Sequence, residues 1–254
     1  MHRIPNIVYI IPTYNEKENI LKMLIAVEKM FKKLSSYRSS ILVVDDRSPD
    51  GTGKLVKDMQ KKYSNIYLLS GPKEGLGKAI VRGIKYAMGK LHADIIVTNE
   101  ADFSYSPQIV PTMVKLIEKG NGAVFGSRRL ITPEMWPLGR RVMHFVANTF
   151  FAKYVAGISQ VDDHNSAFKA IKVSGVLDKI DFTDFPKGYA FFNYFTFQLS
   201  KITPRLAEIK TQFYPRTAGE SKISFKPKNI KNFLTETFGY ILTCFRIRLE
   251  KTFL

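Results

Sequence analysis

The sequence predicts an α/β protein in which a doubly wound, mostly parallel sheet is flanked by helices. Three observations support this prediction. Short runs rich in Ile and Val recur along the first half of the chain, stretches with helical periodicity separate them, and the segments after the runs are polar or glycine-rich. Repeated strand–helix units of this kind are typical of parallel strands that are covered on both faces.

Predicted strands and helices alternate along the first half of the chain. The strands are the apolar runs at residues 7–11, 41–44, 66–69, 94–97 and 123–125. The helices are the stretches at residues 18–34, 52–62, 78–89 and 107–119. The first of them begins with acidic residues and ends with lysines, which suits the helix dipole. Residues 142–158, which include His144, Asn148 and Lys153, and residues 233–245, which include Glu236, each predict an amphipathic helix. Neither reaches the roughly 18 apolar residues of a membrane span.

The composition limits the class of protein and the kind of partner. The chain has 254 residues, of which 45% are hydrophobic, so a disordered chain is excluded. Its formal charge of +17 predicts either a generally basic surface or an anionic partner such as nucleic acid, a phosphorylated ligand or anionic lipid. The single cysteine, Cys244, fits a reducing compartment. Because Met1 leads through a short polar start into a strand, we expect no signal peptide and a cytoplasmic location.

Polar, charged or glycine-rich segments follow all five predicted strands. Ligands bind beyond the carboxyl ends of the strands in such sheets, so these segments are expected at one edge. Taken singly, some have a plain structural explanation: Thr13 or Asn15 could cap the first helix, and Asp50 with Gly51 could form a turn. Taken together, they predict a nucleotide-sized site made of residues 12–16 (PTYNE), 45–51 (DDRSPDG), 75–79 (GLGKA), 100–102 (EAD) and 126–129 (GSRR).

Glu100 and Asp102, which follow the fourth strand, form either a solvated turn or a cation site. Carboxylate oxygens are hard ligands that suit Mg²⁺ or Mn²⁺ better than Zn²⁺, and the four histidines show no ligand spacing. Two carboxylates and a ligand diphosphate would match the way Mg²⁺ usually binds. At the other strand ends, we expect positive charge from Arg128 and Arg129, acceptors for a base or ribose from Asp45 and Asp46, and a lining for the base pocket from Tyr14.

The same segments, in the same order, resemble the family 2 glycosyltransferases, which have a GT-A fold. This is a Rossmann-like, doubly wound mixed sheet, mostly parallel and flanked by helices. Three later elements are similar to those of the polyprenyl-phosphate hexose synthases, above all the dolichol-phosphate mannose synthases, and the resemblance covers about residues 5–225. The elements are Trp136 with Arg140 and His144, residues 162–169 (DDHNSAFK) and residues 216–222 (RTAGESK).

The resemblance implies a metal-dependent, inverting transfer of a hexose, most simply mannose from GDP-mannose, to a polyprenyl or dolichyl phosphate. It implies Mg²⁺ or Mn²⁺ on Glu100 and Asp102, and an acceptor phosphate on Arg140, Arg216 and Lys222. It implies catalytic roles for Asp102, Arg128, Arg216 and Lys222. The nucleotide sugar would be bound by Pro12, Tyr14, Glu16, Asp45, Asp46, Lys78, Glu100, Ala101, Asp102 and Arg128.

The resemblance also implies a division of the chain and a set of partners. Residues 1–225 would be the catalytic domain, with a nucleotide-sugar half at about 1–130 and an acceptor half at about 131–225, and residues 226–254 a basic amphipathic tail. We expect a peripheral protein at the cytoplasmic face of a membrane, held by the membrane surface or by a small membrane-anchoring subunit. Nucleic acid is not expected, because acidic residues at two strand ends would repel phosphates there.

Several alternatives stay open. The donor could be a UDP-sugar, such as UDP-glucose, and the acceptor could be a glycan hydroxyl. In the latter case Asp162 or Asp163 would act as a base, whereas otherwise the two aspartates would cap or orient neighbouring groups. The aromatic stretch 182–197 could be core or a groove for an isoprenoid chain, and the tail could pack on the domain or lie on a membrane. The chain departs from the family pattern at Glu100, Ser104, His144 and residues 188–194.

Overall fold

The computed structural model describes residues 3–128, 138–214 and 230–252. The strands are β1 Asn6–Thr13, β2 Arg38–Asp45, β3 Ile66–Ser70, β4 Ile95–Thr98, β5 Ala123–Ser127, β6 Lys169–Lys172 and β7 Leu206–Lys210. The helices are α1 Lys17–Phe31, α2 Thr52–Gln60, α3 Leu76–Gly89, α4 Val110–Glu118, α5 Leu138–Phe145, α6 Ala190–Ile202 and α7 Ile230–Thr252. A π-helical segment, Val146–Val155, follows α5, and short 3₁₀ turns span Lys32–Leu34, Pro107–Ile109 and Leu177–Lys179.

The seven described strands form one mixed sheet in the order β3-β2-β1-β4-β6-β5-β7. β6 runs antiparallel to both of its neighbours, and the other adjacent pairs are parallel. The first five strands therefore run in one direction and end at one edge. The predicted GT-A arrangement, a mostly parallel mixed sheet flanked by helices, is confirmed.

The central strands are hydrophobic along their length because helices cover both faces of the sheet. Alternate side chains point to opposite faces, so each strand contributes to two cores. Val8 and Ile10 of β1 pack in one core with Leu42 and Val44 of β2. The intervening residues, among them Tyr9, pack in the other core. This two-sided burial explains why the strands appear in the sequence as continuous runs of Ile and Val.

The aromatic stretch 182–197 belongs to the hydrophobic core. Phe182, Phe185, Phe191 and Phe195 are buried and contact one another with ring centroids 5.0–6.0 Å apart. The core interpretation of this stretch is therefore correct, and these side chains do not line an open groove.

The C-terminal helix α7 packs against α6 and the π-helical segment. Cys244 and Ile247 are buried, and the Tyr240 hydroxyl donates a hydrogen bond of 2.9 Å to the carbonyl of Ala147. On its remaining surface α7 exposes large apolar side chains: Leu234, Phe238, Leu242, Phe245 and Leu249. No helix in the described part of the chain is both long and apolar enough to cross a membrane.

Candidate active site

The first corner of the candidate site forms where β1 and β2 end side by side. The Thr13 hydroxyl donates to the Asp45 carboxylate at 2.9 Å, and the Ser48 amide and hydroxyl donate to the same carboxylate at 2.9 and 2.6 Å. Asp45 thus fixes the turn that follows β2. Thr13 does not cap α1, since its hydroxyl is committed to Asp45.

Asp50 closes the same turn and links two helices. Its carboxylate accepts hydrogen bonds from the Thr52 amide and hydroxyl and from the Lys17 amide. Burial alone would raise the pKa of Asp50, but the hydrogen bonds from Thr52 and Lys17 outweigh it and lower the pKa. The prediction of a turn and cap at Asp50 and Gly51 is therefore correct, and the cap holds the starts of α1 and α2 together.

Asp46 pairs with a cation that the sequence analysis did not single out. The Arg82 guanidinium, one turn after Lys78 on α3, forms a salt bridge with the Asp46 carboxylate, and Asp46 is buried. Arg82 also lies against Gly71, where a side chain would collide with its guanidinium. The i, i+4 spacing from Lys78 is the only sequence signal for Arg82, and it does not reveal the partner.

Tyr14 and Glu16 follow β1 at the same edge. The ammonium of Lys73 lies 3.7 Å from the centroid of the Tyr14 ring, so a cation already covers one face of this ring. The Glu16 amide donates to the Thr52 hydroxyl at 3.0 Å, and its carboxylate accepts from Asn19 at 2.8 Å. Pro12 is half-buried at the end of β1.

The glycines of the segment 75–79 permit a close approach of a distant loop. The Gly77 amide donates to the Lys187 carbonyl at 2.9 Å, and a Cβ on Gly77 would lie 2.5 Å from the carbonyl oxygen of Pro186. Gly75 has φ +105°, a conformation that favours glycine. Lys78 lies half-buried in the first turn of α3, and residues 186–188 therefore belong to the surroundings of the site.

Glu100 and Asp102 form the corner after β4. Asp102 is 2% exposed, so it is not part of a solvated turn, and it accepts a 2.9 Å hydrogen bond from the Ser104 amide. Asn99 orders the approach by accepting from the Glu100 amide at 2.9 Å and donating to the Tyr9 hydroxyl at 2.8 Å. Ala101 is buried between the two acids.

The carboxylates of this corner are groups that could hold a hard divalent cation. Among the described residues, no group of three or more His, Cys, Asp or Glu side chains is arranged to hold a metal ion. Glu100 and Asp102 supply carboxylate oxygens alone, which is the donor type that Mg²⁺ and Mn²⁺ prefer.

Arg128, at the end of β5, forms the best-defined ion pair of the edge. Its Nε and terminal nitrogen donate to the two oxygens of Asp163 at 2.8 and 2.6 Å, and its backbone amide donates to Asp163 at 2.9 Å. Burial alone would raise the pKa of Asp163, but the Arg128 guanidinium holds it well below its usual range. Asp163 is therefore a permanently charged orienting group and a poor base.

Glu208 of β7 fixes the loop that presents Asp163. Its two carboxylate oxygens accept hydrogen bonds of 2.9 Å from the backbone amides of Asp162 and Asp163. His144 approaches from α5, with its Nε2 3.8 Å from the Asp163 carboxylate. The sequence analysis missed Glu208, because one acid in a short, partly exposed strand gives no local signal of this contact.

Tyr105 joins the two charged corners. Its ring packs on Phe168 and Phe213 with centroids 5.5 and 4.9 Å away, and it is 1% exposed. Burial raises the pKa of Tyr105 well above its ordinary value. The Phe213 ring on which Tyr105 packs also lies 5.8 Å from the Arg128 guanidinium. The Glu100 corner and the Arg128 corner are therefore neighbours, as the sequence predicted for one edge.

Several predicted site residues lie outside the described part of the chain: Arg129, Trp136, Arg216, Lys222 and the side chain of Arg140. These include the three residues predicted to hold an acceptor phosphate. Their roles, like those of the predicted donor residues, stay predictions.

Solved structures support the fold. Mannosyl-3-phosphoglycerate synthase from Rubrobacter xylanophilus matches with a TM-score of 0.68 and 16% identity, over 97% of this chain and 75% of that one. A mannosyltransferase from Pyrobaculum calidifontis, solved with GDP-Man and Mn²⁺, matches with a TM-score of 0.58 and 17% identity, over 98% and 74% of the two chains.

Sequence relatives identify the family. Undecaprenyl-phosphate mannosyltransferase from Micrococcus luteus is 30% identical over 85% of this chain and 86% of its own length. Dolichol-phosphate mannosyltransferase from Pyrococcus furiosus is 28% identical over 90% of this chain, which spans 62% of that protein. The family model described as Glycosyl transferase family 2 matches residues 9–180, more than half of the chain. The chain belongs to glycosyl transferase family 2 and is a glycosyltransferase.

Proposed function

We propose that this enzyme transfers mannose from GDP-mannose to a polyprenyl phosphate such as dolichyl phosphate, with inversion at the anomeric carbon. The observation that supports it most directly is that the segment after the buried Asp102 meets Arg128 at the carboxyl edge of the sheet, where the Phe213 ring packs on Tyr105 and lies 5.8 Å from the Arg128 guanidinium. Acids that can hold a cation beside a fixed guanidinium suit a nucleoside diphosphate as leaving group. The relatives named for transfer of mannose to polyprenyl phosphates point to the same chemistry.

The state of Asp163 favours a phosphate acceptor over a hydroxyl acceptor. A hydroxyl needs a base to take its proton, and Asp163 is paired with Arg128 through both carboxylate oxygens. A phosphate monoester is largely dianionic near neutral pH, because its second pKa is about 6. Its oxygen attacks the anomeric carbon as the bond from that carbon to the diphosphate oxygen breaks, and no proton has to be removed.

The protein's part in this step is positioning and charge compensation. Glu100 and Asp102 would hold Mg²⁺ or Mn²⁺, which when bound neutralises charge on the departing diphosphate. Arg128 is held rigidly by Asp163 and would face the same anion. Two anionic reactants must be kept together, so preorganised cations contribute more than acid–base groups.

The lipid acceptor requires a membrane contact, and we assign it to α5, the π-helical segment and α7. These helices expose large apolar side chains while packing against one another through Tyr240 and Ala147. Arg141, Lys153, Arg248 and Lys251 are exposed on the same elements and would meet anionic headgroups. The exposed apolar side chains include Leu138, Val142, Phe145, Phe150 and Tyr154 on the first two elements, and Leu234, Phe238, Leu242, Phe245 and Leu249 on α7.

A donor screen tests the proposal. The protein is incubated with labelled GDP-mannose or UDP-glucose, dolichyl phosphate and Mn²⁺ or Mg²⁺, and the organic phase is counted. We expect acid-labile label in the lipid with GDP-mannose and the metal, and none with excess EDTA. If label is transferred from UDP-glucose but not from GDP-mannose, UDP-glucose is the donor instead. The absence of lipid-linked label with both donors would reject the proposal.

A further inference from the structure

The loop 186–189 touches the candidate donor site from the far half of the chain. The Lys187 carbonyl accepts the amide of Gly77 at 2.9 Å, which occupies one of the first amides of α3. Gly75 and Gly77 leave no room for movement toward the loop, since a Cβ on either would lie 2.7 or 2.5 Å from a loop carbonyl. The position of Lys78 at the start of α3 therefore depends on where this loop lies.

The Glu236 side chain of α7 contacts the other side of that loop. The Glu236 carboxylate accepts a 2.8 Å hydrogen bond from the backbone amide of Tyr189. It lies directly over Gly188, where a Cβ would collide with its oxygens. Glu236 is half-buried, whereas the apolar Leu234 and Phe238 on either side of it in α7 are exposed. The charged side chain is therefore turned toward the loop, although its apolar neighbours are exposed.

We propose that Glu236 is a positioning residue for the donor site. Its carboxylate anchors the loop 186–189, and the loop in turn holds the start of α3, which carries Lys78 and, one turn on, the Arg82 partner of Asp46. The proposal rests on the proposed function of this edge as the nucleotide-sugar site. It makes the C-terminal helix a part of the donor site, whereas the sequence indicated a basic amphipathic tail that could pack on the domain or lie on a membrane.

The strength of the contact follows from its chemistry. A carboxylate that accepts a backbone amide makes a charge-assisted hydrogen bond, about twice as strong as a neutral one. Its loss would leave the Tyr189 amide without this acceptor and remove this link between the loop and α7. The effect should reach donor binding and leave the acceptor side and the chemical step nearly unchanged, because Asp163 holds Arg128 at the end of β5, whereas this loop lies against the start of α3.

Three variants at one position separate geometry from charge. Glu236→Ala removes the acceptor, Glu236→Gln keeps an acceptor oxygen at the same reach, and Glu236→Asp keeps the charge but is one methylene too short. Glu250→Ala is the matched control, because Glu250 lies on the same helix and accepts from Tyr194 of α6 at 2.9 Å. Binding of GDP and GDP-mannose with saturating Mn²⁺ is measured by calorimetry, alongside KM and kcat.

We expect Glu236→Ala and Glu236→Asp to weaken GDP-mannose binding and raise its KM by about 3- to 10-fold, with kcat and the lipid KM nearly unchanged. Glu236→Gln should restore binding to within about twofold, and Glu250→Ala should match the wild type. If Glu236→Ala does not fold, Glu236→Asp carries the same test. Wild-type affinity in the folded Ala or Asp variant, or failure of Gln to restore it, would overturn the inference. If the wild-type protein binds no nucleotide, the proposed function falls first.

Discussion

At the scale of single residues, the pair of Arg128 and Asp163 concentrates opposite charges in a buried place. Removing one partner of a buried pair leaves the other charge uncompensated and costs about 3–5 kcal/mol. We therefore expect Asp163→Asn to lower the free energy of unfolding by about this amount and to reduce turnover by about 100-fold or more. Urea unfolding and initial transfer rates measure the two effects.

Asp162→Asn is the control for that prediction. Asp162 is half-exposed and lies 3.9 Å from Lys153, so its replacement should cost less than about 1 kcal/mol. If Asp162→Asn abolished transfer while Asp163→Asn retained it, the neighbouring aspartate would be the functional group. A hydroxyl acceptor with a catalytic base would then regain support.

From the burial of Lys169 we predict that the free energy of unfolding depends on pH. Its ammonium is buried between the rings of Phe125 and Phe192, 5.0 Å from each centroid, and donates to the Ser166 carbonyl. Burial lowers the pKa of Lys169 from 10.5 to about 7. Between these values the unfolded chain binds a proton that the folded chain has released, so this group makes stability rise with pH, by up to about 1.4 kcal/mol per pH unit.

Lys169→Met should remove this slope. We expect the variant to have a higher free energy of unfolding than the wild type at pH 6.5, and this difference to be smaller at pH 9.5. Urea unfolding at both pH values measures it. Lys172→Met, at an exposed position of the same strand, should show the wild-type slope. Parallel stability curves for Lys169→Met and wild type would contradict a buried, partly deprotonated lysine.

From the proposed role of Asp102 as a metal ligand we predict that the affinity for GDP-mannose depends on the metal ion. Outer-shell partners of metal sites cost about 10–100-fold when mutated, so loss of a direct ligand should weaken Mn²⁺-dependent GDP-mannose binding by at least about 100-fold. Calorimetry of Asp102→Ala with and without Mn²⁺ measures this, with Asp58→Ala on α2 as an exposed control. Binding that responds to Mn²⁺ in Asp102→Ala as in wild type would reject the metal assignment.

Candidate site residues could be identified in the sequence where they follow a recognisable strand end. The side chains that contact them could not. Asp102 and Arg128 could be found from the end of an apolar run. Arg82 and Glu208 could not, because their contacts with Asp46 and with the 162–163 amides join segments 36 and 45–46 residues apart. A local hydrophobic pattern does not indicate contacts between segments so far apart in the sequence.

At the scale of elements, the close contact between α3 and the loop 186–188 predicts an intolerant glycine. Gly77→Ala should cost about 1–3 kcal/mol, because its Cβ would lie 2.5 Å from a backbone oxygen that cannot rotate away. It should also weaken nucleotide binding, since it displaces the start of α3. Gly89→Ala, at the open end of the same helix, should be neutral or stabilising by up to about 1 kcal/mol. Equal stabilities of the two variants would contradict this contact.

The first five strands were predictable, whereas β6 and β7 were not. Parallel strands inside a sheet form short apolar runs, and β1 to β5 each contain one. β6 has four residues and begins and ends with lysine, and β7 is half-exposed, so neither rises above the surrounding pattern. Residues 142–158 were predicted as one amphipathic helix and form α5 followed by the wider π-helical segment, which 3.6-residue periodicity does not distinguish.

At the scale of the whole molecule, apolar side chains and a charge of +17 predict attachment to anionic bilayers. Phe238 and Phe245 are 64% and 52% exposed on α7. Replacing both with Ser should reduce binding to phosphatidylglycerol vesicles by about tenfold or more, since burying each ring contributes about 1.5–3 kcal/mol. Co-sedimentation measures this, with Ile25→Ser on α1 as the control.

The two possible modes of attachment differ in this experiment. If wild-type protein does not sediment with vesicles of any composition, the exposed side chains do not bind lipid, and a small anchoring subunit becomes the better explanation. The division into a catalytic domain at 1–225 and a tail at 226–254 stays a prediction. The described part of that tail is nonetheless joined to the domain by buried contacts of Cys244 and Ile247.

The thiol of Cys244 is a natural probe of that junction. The chain has one cysteine, and its sulfur is fully buried and accepts a 3.1 Å hydrogen bond from Asn193 of α6. Burial raises the pKa of the Cys244 thiol to about 12, so the docked helix resists alkylation. The rate at which a thiol reagent alkylates Cys244 in the unmodified protein therefore reports how often α7 separates from α6. Comparing this labelling rate with and without vesicles or nucleotide measures undocking of the helix without an introduced cysteine.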